Sequence, residues 1–235
     1  MAVVYVLLNQ KGGVGKSTLA VNLAAVTAEV TGGGLDPEAS STVAAVSIDP
    51  QGSAVWWGSR VENLPFHVVD AHRDIAGLRR LRDLPGIDHV FVDTPGWLDM
   101  ADPSDTTDPL GEGPAGDALR AVLDGADHVI VPITPEPLTF DPTARTIRKV
   151  VKPRKLKYTV VLNNWDPRDG EADRDETQEF VRRNDWPVAK TVVRRYKLHT
   201  RASLNGQVVT EYPSNGTSLR AREDFYKLAL ELAVS

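Results

Sequence analysis

Apolar and polar positions along the chain follow two alternating patterns, one typical of strands and one typical of helices. Short apolar runs of strand length lie at residues 3–8, 43–48, 66–69, 89–92, 128–131, 158–162 and 188–193. Between these runs, patterns that suit helices occupy residues 16–30, 75–84, 115–123, 139–151, 172–184 and 218–233. Because strands and helices take turns, we predict an α/β fold with a doubly wound, mostly parallel sheet flanked by helices. Such sheets bind their ligands beyond the carboxyl ends of the strands.

Two stretches break this alternation. Residues 31–41 are rich in Gly, Ser and Thr, and residues 98–116 are rich in Asp, Pro and Gly, so both are predicted as long surface loops. A tolerated insertion is the simplest interpretation of each. The second loop follows a candidate active-site aspartate, which leaves a lid or a partner-binding surface as the alternative. The length of 235 residues favours a single domain, residues 1–235.

Composition narrows the possible chemistry. The chain has no cysteine, which excludes disulfides, thiolate metal sites, iron–sulfur clusters and cysteine nucleophiles. No apolar run approaches the roughly 20 residues that span a bilayer, and the apolar start lacks a basic leader, so we expect a cytoplasmic protein. The net charge of -5 averages two opposed regions. Residues 93–127 hold nine acids and one arginine, whereas residues 182–222 hold nine Lys or Arg and two acids.

A glycine-rich segment directly follows the first predicted strand and directly precedes a predicted helix. It reads Gln-Lys-Gly-Gly-Val-Gly-Lys-Ser-Thr over residues 10–18. Glycines let backbone N–H groups surround phosphate oxygens, and the helix points its positive end at the same anion. We predict that Lys16 lies along the β- and γ-phosphates of ATP, that Ser17 ligates Mg²⁺ and that Thr18 reaches the α-phosphate. The predicted ATP-binding loop is Lys11, Gly12, Gly13, Val14, Gly15, Lys16, Ser17 and Thr18.

One residue of this loop departs from the usual phosphate-loop motif, because Lys11 occupies the position of its first glycine. In this respect the chain resembles the deviant Walker A ATPases typified by ParA and MinD, whose signature is K-G-G-x-G-K-[ST]. The resemblance implies a homodimer that sandwiches ATP. It also implies that Lys11 reaches across the interface and neutralises charge on the phosphates bound by the other subunit.

Two aspartates complete the resemblance. Asp49 lies in Ile-Asp-Pro-Gln-Gly-Ser-Ala, which is similar to the family's switch segment, and by that resemblance it helps to place the attacking water and reaches Mg²⁺ through water. The family's first aspartate is replaced by Ser47, so we expect slow catalysis. Asp93 ends an apolar strand in a Walker B pattern and is predicted to hold Mg²⁺ through water, with Gly96 placed for a backbone contact to the γ-phosphate. The predicted catalytic residues are Lys11, Lys16, Asp49 and Asp93.

The remainder of the chain favours one branch of the superfamily. The asparagine that contacts adenine in the family matches Asn163, with Asn164 as the alternative. Iron–sulfur relatives need cysteines, and the carboxyl-terminal segment has neither the basic character of the MinD-type membrane helix nor a tyrosine-rich tail. Asp-Pro-Gln-Gly followed by tryptophans, together with residues 192–213, resembles ParA. We therefore expect a small ParA-type ATPase without an amino-terminal helix-turn-helix domain, and no membrane partner.

This resemblance gives the basic region a role. It implies that the ATP-loaded dimer binds DNA nonspecifically through phosphate contacts, which would associate it with the nucleoid. The predicted DNA-binding residues are Arg195, Lys197, Arg201, Arg220 and Arg222. A second basic run at residues 145–157 is either a further DNA surface or a solvated helix face.

The expected function is ATP hydrolysis, slow and partner-stimulated, that segregates or positions plasmid, phage or chromosomal DNA with a ParB-type centromere-binding partner. The acidic residues 98–117 are a candidate electrostatic target for that partner. One alternative is a ParA-like ATPase that positions a non-DNA cargo or acts as a regulatory switch without DNA binding. Another is a scaffold that binds nucleotide but no longer hydrolyses it, because Ser47 replaces the family's first aspartate.

Overall fold

The predicted parallel sheet forms the centre of the fold in the structure, a computed structural model that describes residues 1–32, 40–97 and 108–234. The strands within those ranges are β1 (Val3–Leu7), β2 (Val43–Ser47), β3 (His67–Asp70), β4 (His89–Asp93), β5 (His128–Ile133), β6 (Tyr158–Trp165) and β7 (Val193–Arg194). They pair in the order β3-β2-β4-β1-β5-β6-β7, and every described pairing is parallel. The predicted doubly wound α/β fold is confirmed.

Helices cover both faces of this sheet. They are α1 (Lys16–Val30), α2 (Ser53–Gly58), α3 (Ile75–Leu78), α4 (Pro114–Asp124), α5 (Phe140–Arg145), α6 (Ala172–Arg183), α7 (Lys197–Asn205) and α8 (Gly216–Val234). Alternate residues of β1 point to opposite faces, so Val4 and Val6 join one apolar core and Tyr5 and Leu7 join the other. The second core is closed by α1 and α8, which pack against each other.

The predicted strand at residues 188–193 is much shorter in the structure. Val188 makes a single bridge to Val160, and the ladder resumes only at β7. Between these points, the carboxylate of Glu231 on α8 accepts hydrogen bonds from the backbone N–H groups of Lys190 and Thr191 at 2.6 and 3.1 Å. A side chain from a distant helix therefore takes the donors that a strand would have used.

The helical predictions differ from the structure in four places. The predicted helix 75–84 is split into α3 and a 3₁₀ turn at Leu81–Asp83, and the helix predicted at 139–151 becomes α5 followed by a π-helical turn at Thr146–Val151. Helices α2 and α7 were not predicted. α7 has Ala202 as its one buried residue, so it lacks the apolar stripe that reveals a helix in a sequence.

The two predicted loops are described only in part. Residues 33–39 and 98–107 lie outside the described residues, and with them most of both stretches and half of the acidic target, residues 98–117, proposed for a partner. α4 begins at Pro114, inside the second predicted loop, because proline suits the first turn of a helix.

Candidate nucleotide site

The glycine-rich loop joins β1 to α1 at the carboxyl edge of the sheet and forms the floor of a cleft of about 740 Å³. Lys16 begins α1 and is buried, and its Nζ donates to the carbonyl oxygens of Asn9 and Lys11 at 3.0 and 3.1 Å. Burial lowers the pKa of Lys16 to about 8, although the nearby Asp93 and Asp49 raise it. The ammonium group thus satisfies the carbonyls of its own loop.

Gly15 shows why this loop needs glycine where it enters α1. Its φ of +89° is left-handed, and a Cβ built at this position would lie 2.3 Å from Nδ2 of Asn163. That amide nitrogen donates to the carbonyl of Val14 at 2.8 Å, so Asn163 braces the loop from β6. Asn163 and Asn164 both line the cleft, and the predicted adenine contact stays a prediction.

Asp93 ends β4 in register with Ser47 at the end of β2. Neither carboxylate oxygen of Asp93 nor the hydroxyl of Ser47 has a hydrogen-bond partner among the described residues, and all three atoms are buried. Burial raises the pKa of Asp93 to about 7, against the lowering effects of Ser17 and Lys16. Burial outweighs these two favourable contacts, and a buried carboxylate is costly, so this position is suited to a bound cation.

The oxygen donors at this edge of the sheet fit an Mg²⁺ ion that has only a few protein ligands. The Ser17 hydroxyl and the carboxylates of Asp93 and Asp49 offer oxygen only, as Mg²⁺ prefers. The described part of the chain contains no cluster of three or more His, Asp or Glu that could hold a metal alone. The ion would therefore take its remaining ligands from water and from nucleotide phosphates, as the predicted water-mediated contacts require.

Asp49 is held in a tight turn at the mouth of the cleft. Its Oδ1 accepts from the N–H of Gln51 at 2.9 Å, and its carbonyl accepts from the N–H of Gly52 at 2.9 Å. The turn leads straight into α2, which docks through Trp57, whose Nε1 donates to the carbonyl of Gln207 at 2.9 Å. The orientation of Asp49 is thus tied to a helix that the sequence did not reveal.

Gly96 packs directly on the phosphate loop. A Cβ at this position would lie 2.9 Å from the carbonyl oxygen of Gln10 and 3.1 Å from the backbone nitrogen of Gly12. The next residue, Trp97, donates its N–H to the same carbonyl of Gln10 at 3.1 Å. The segment after β4 therefore touches the loop, and the predicted backbone contact of Gly96 to the γ-phosphate stays a prediction.

Four of the five predicted DNA-binding cations are exposed just after β7 and on α7 and α8, and no ion pair is found for them in the described ranges. These four residues, named the cationic patch below, are Arg195, Lys197, Arg201 and Arg220. The fifth, Arg222, is half-buried and pairs with Glu29 of α1 at 3.3 Å. Arg222 therefore contributes to packing between α1 and α8 and is left out of the patch.

The second basic run has mostly internal partners. Arg145 pairs with Asp141 at 2.9 Å, Arg148 donates to Asn184 at 2.6 Å, and Arg154 lies 3.5 Å from Asp108. Of the two interpretations of this run, the structure favours the surface of a helix and loop with local ion pairs.

Sequence reasoning missed several polar residues that hold the loop. Asn9, Thr143 and Thr146 surround its first half, and Asn22 lies in the second turn of α1, all with no exposed surface. An asparagine at the end of an apolar strand is a visible signal for Asn9. The threonines carry no such signal, because their contacts to the loop span more than 130 residues of chain.

Within the described ranges, no helix combines the length and apolar character that a membrane crossing requires.

A parallel sheet, a phosphate loop with a second lysine and oxygen donors that fit Mg²⁺ define a P-loop nucleotide-binding protein of the deviant Walker A class. The sequence profile of the CbiA family, described as the CobQ/CobB/MinD/ParA nucleotide binding domain, matches residues 5–209. The chain belongs to this family and is a ParA/MinD-type ATPase whose cofactors are ATP and Mg²⁺.

Relatives and a solved structure agree with this assignment. The chain is 36% identical over 232 residues to "Maintenance of carboxysome distribution protein A" of Gloeobacter kilaueensis, covering 97% of this chain and 93% of the relative. It is 30% identical over 218 residues to the protein of the same name in Halothiobacillus neapolitanus, covering 89% and 88%. The ATP complex of a Cyanothece McdA variant shares the fold with a TM-score of 0.67 and 14% identity, covering 99% of this chain and 96% of that one.

Both relatives take their name from carboxysome distribution and neither from plasmid partition. The comparisons therefore support the alternative of a non-DNA cargo better than the expected segregation of plasmid, phage or chromosomal DNA with a ParB-type partner.

Proposed function

We propose that the chain is an ATP-driven positioning factor for a large protein-built cargo of the carboxysome type. The observation that carries this proposal is the 36% identity, over nearly the full length of both chains, with a carboxysome distribution protein. The partner that stimulates hydrolysis is then a protein attached to the cargo, and it replaces the ParB-type partner expected from the sequence.

The proposed cycle uses the site described above. ATP and Mg²⁺ bind at the loop, two subunits close face to face, and each Lys11 approaches the phosphates of the other subunit. Lys11 is exposed at the lip of the loop, whereas Lys16 is buried within it, which supports a division of labour between the two lysines. Asp49 orients the attacking water, and hydrolysis opens the dimer.

The cationic patch supports nonspecific contact of the ATP-loaded dimer with nucleoid DNA as the track for positioning. Its four side chains are exposed and form no ion pair in the described ranges, so they are available to phosphates. A dimer doubles the patch, and two linked weak sites bind more tightly than one. ATP-dependent dimerisation would therefore switch DNA affinity.

The cargo assignment is tested in the host cell by microscopy of labelled carboxysomes and by plasmid retention. Deleting the gene is expected to turn evenly spaced carboxysomes into clusters and to leave plasmid retention unchanged. Restoring the wild-type gene should restore spacing, and Lys16→Ala should not. Normal carboxysome spacing with loss of plasmids would reject the proposed cargo and return the function to DNA partition.

The DNA contact is tested by fluorescence anisotropy of a random-sequence duplex over a range of salt concentrations. With ATP and Mg²⁺, binding is expected to weaken steeply as salt rises, and Lys197→Ala/Arg201→Ala should lower both the affinity and the salt slope, since each lost phosphate contact reduces the slope by about 1. Arg79→Ala/Arg80→Ala removes two exposed cations outside both basic regions and is the matched control. Equal losses in both double variants would show that net charge, and not the cationic patch, determines binding.

A further inference from the structure

The first half of the phosphate loop is surrounded by three buried polar side chains that none of the predicted roles uses. Asn9 follows β1, Thr143 lies in α5, and Thr146 begins the π-helical turn, and each has no exposed surface. Residues 143 and 146 are three apart, so they share one helix face, and that face is turned toward the loop. π-helical turns occur frequently at functional sites.

These side chains hold the backbone N–H groups of Lys11 and of the residue before it, Gln10. Oδ1 of Asn9 accepts from the N–H of Lys11 at 2.9 Å, and the Thr146 hydroxyl accepts from the N–H of Gln10 at 3.1 Å. Asn9 is fixed in turn, because its Nδ2 donates to the Pro132 carbonyl at 2.8 Å and to the Thr143 hydroxyl at 2.9 Å. The Thr146 hydroxyl donates to the carbonyl of Pro142 at 2.9 Å.

The hydrogen bonds separate the loop into two parts with different tasks. In a phosphate loop, free backbone N–H groups bind the anion. The N–H groups of Gln10 and Lys11 are already used by side chains, so anion binding falls to the glycines and to Lys16 further along. The first part of the loop is instead a rigid base from which the exposed Lys11 side chain projects.

We propose that Asn9, Thr143 and Thr146 are positioning residues for Lys11, and that they act on phosphate transfer in the partner subunit without contributing to nucleotide affinity. The inference rests on the proposed role of Lys11 across the dimer. A lysine has a long, flexible side chain, so a fixed backbone at its base limits the entropy lost when its ammonium group reaches a transition state.

The test compares Thr143→Val/Thr146→Val with the wild-type chain, because valine keeps the shape of threonine and removes its hydroxyl. We expect kcat for Mg-ATP hydrolysis to fall about 10- to 100-fold, because a misplaced catalytic group causes losses of this size. ATP-dependent dimerisation, measured by light scattering, should also weaken. The dissociation constant of a fluorescent ATP analogue should change less than about 3-fold, because the threonines do not contribute to nucleotide affinity. A change of about 3-fold corresponds to less than about 1 kcal/mol. Circular dichroism sets a temperature at which every variant is folded.

Thr139→Val is the matched control. Thr139 is a buried threonine just before α5 whose hydroxyl donates to the carbonyls of Thr134 and Glu136, so its loss costs hydrogen bonds without touching the loop. It should leave kcat at the wild-type level. An equal fall in kcat for Thr139→Val would show that the threonines act only through helix stability and would overturn the proposal.

A double-mutant cycle with Lys11→Ala separates the inference from the function on which it rests. If the threonines act through Lys11, adding Thr143→Val/Thr146→Val to Lys11→Ala should lower kcat no further. Independent, multiplying losses would overturn the inference. Lys11→Ala with normal dimerisation and kcat would reject the proposed role of the lysine itself. If Thr143→Val/Thr146→Val keeps a normal kcat while Lys11→Ala loses it, the role of Lys11 stands and only the positioning role of the threonines is rejected.

Discussion

Asp93 illustrates how a single residue can be costly to the fold and suited to a ligand. Its side chain is fully buried at the end of β4, and neither carboxylate oxygen has a described hydrogen-bond partner. The sequence located this residue correctly, because an apolar strand ending in an acid is a strong pattern. Its pKa of about 7 could not be read from the sequence, since burial depends on the neighbouring strands β1 and β2.

Asp93→Asn is expected to stabilise the nucleotide-free protein much more at pH 8 than at pH 5, while abolishing Mg-ATP hydrolysis. The folded pKa is raised above the usual 3.8, so the unfolded chain ionises first and stability falls as pH rises from about 4 to about 7. Removing the carboxyl group recovers up to about 4 kcal/mol above pH 7. Thermal unfolding at both pH values measures the gain.

Asp88→Asn, just before the start of β4 and exposed, is the control for this comparison. A gain from Asp93→Asn of the same size at pH 5 and pH 8 would show that the carboxylate is not the source of the instability.

At the scale of elements, Asn22 connects the nucleotide loop to the connection after α7. On α1, its Nδ2 donates to the carbonyl of Thr18 at 2.9 Å, and its Oδ1 accepts from the N–H of Val209 at 2.8 Å. Together with the bond from Trp57 to Gln207, this fixes the end of α7 against both α1 and α2. The sequence predicted α1 well from its apolar content, but this connection joins residues almost 190 positions apart, which no local pattern reveals.

Asn22→Ala is expected to destabilise the chain by about 2 kcal/mol, because the buried N–H of Val209 loses its acceptor and a cavity remains. Urea unfolding measures the change. Asn205→Ala removes an exposed asparagine at the end of α7 and should change stability little. A loss in Asn205→Ala as large as that in Asn22→Ala would attribute the effect to α7 itself.

At the scale of the whole molecule, the parallel sheet and the phosphate loop were predictable, whereas the environment of charged and polar groups was not. Strand–helix alternation and the motif from Lys11 to Thr18 depend on local patterns. By contrast, the pairing of Arg222 with Glu29, the ladder broken by Glu231 and the contacts of Thr146 all join distant parts of the chain. The cargo also lay beyond the sequence pattern, since the motif specifies the ATPase and not what it moves.

Two largely buried histidines on separate elements, His128 and His199, both make the folded protein less stable as the pH falls. Burial lowers the pKa of His128 and of His199 to about 4, and His128 is also near Lys157. The unfolded chain takes up these protons near pH 6.5 and the folded chain only near pH 4. Stability therefore falls as pH drops through this window, by up to about 3 kcal/mol for each histidine.

The double variant His128→Gln/His199→Gln should lose less stability than the wild-type chain between pH 7 and pH 5 in urea unfolding. His67→Gln, at an exposed histidine of β3, is the control and should follow the wild-type curve. Parallel curves for the double variant and the wild type would exclude the buried histidines as the source of acid sensitivity.

The position of β1 in the sheet has a consequence for how the chain is made. β1 is synthesised before the other described strands, yet it lies between β4 and β5, which come more than 80 and more than 120 residues later. A ribosome must therefore produce more than half of the chain before β1 gains both neighbours, and β6 must follow before Asn163 can brace the loop. Such distant pairings fold slowly and leave apolar strands uncovered in the meantime, so we expect the emerging chain to depend on chaperones until β6 is complete.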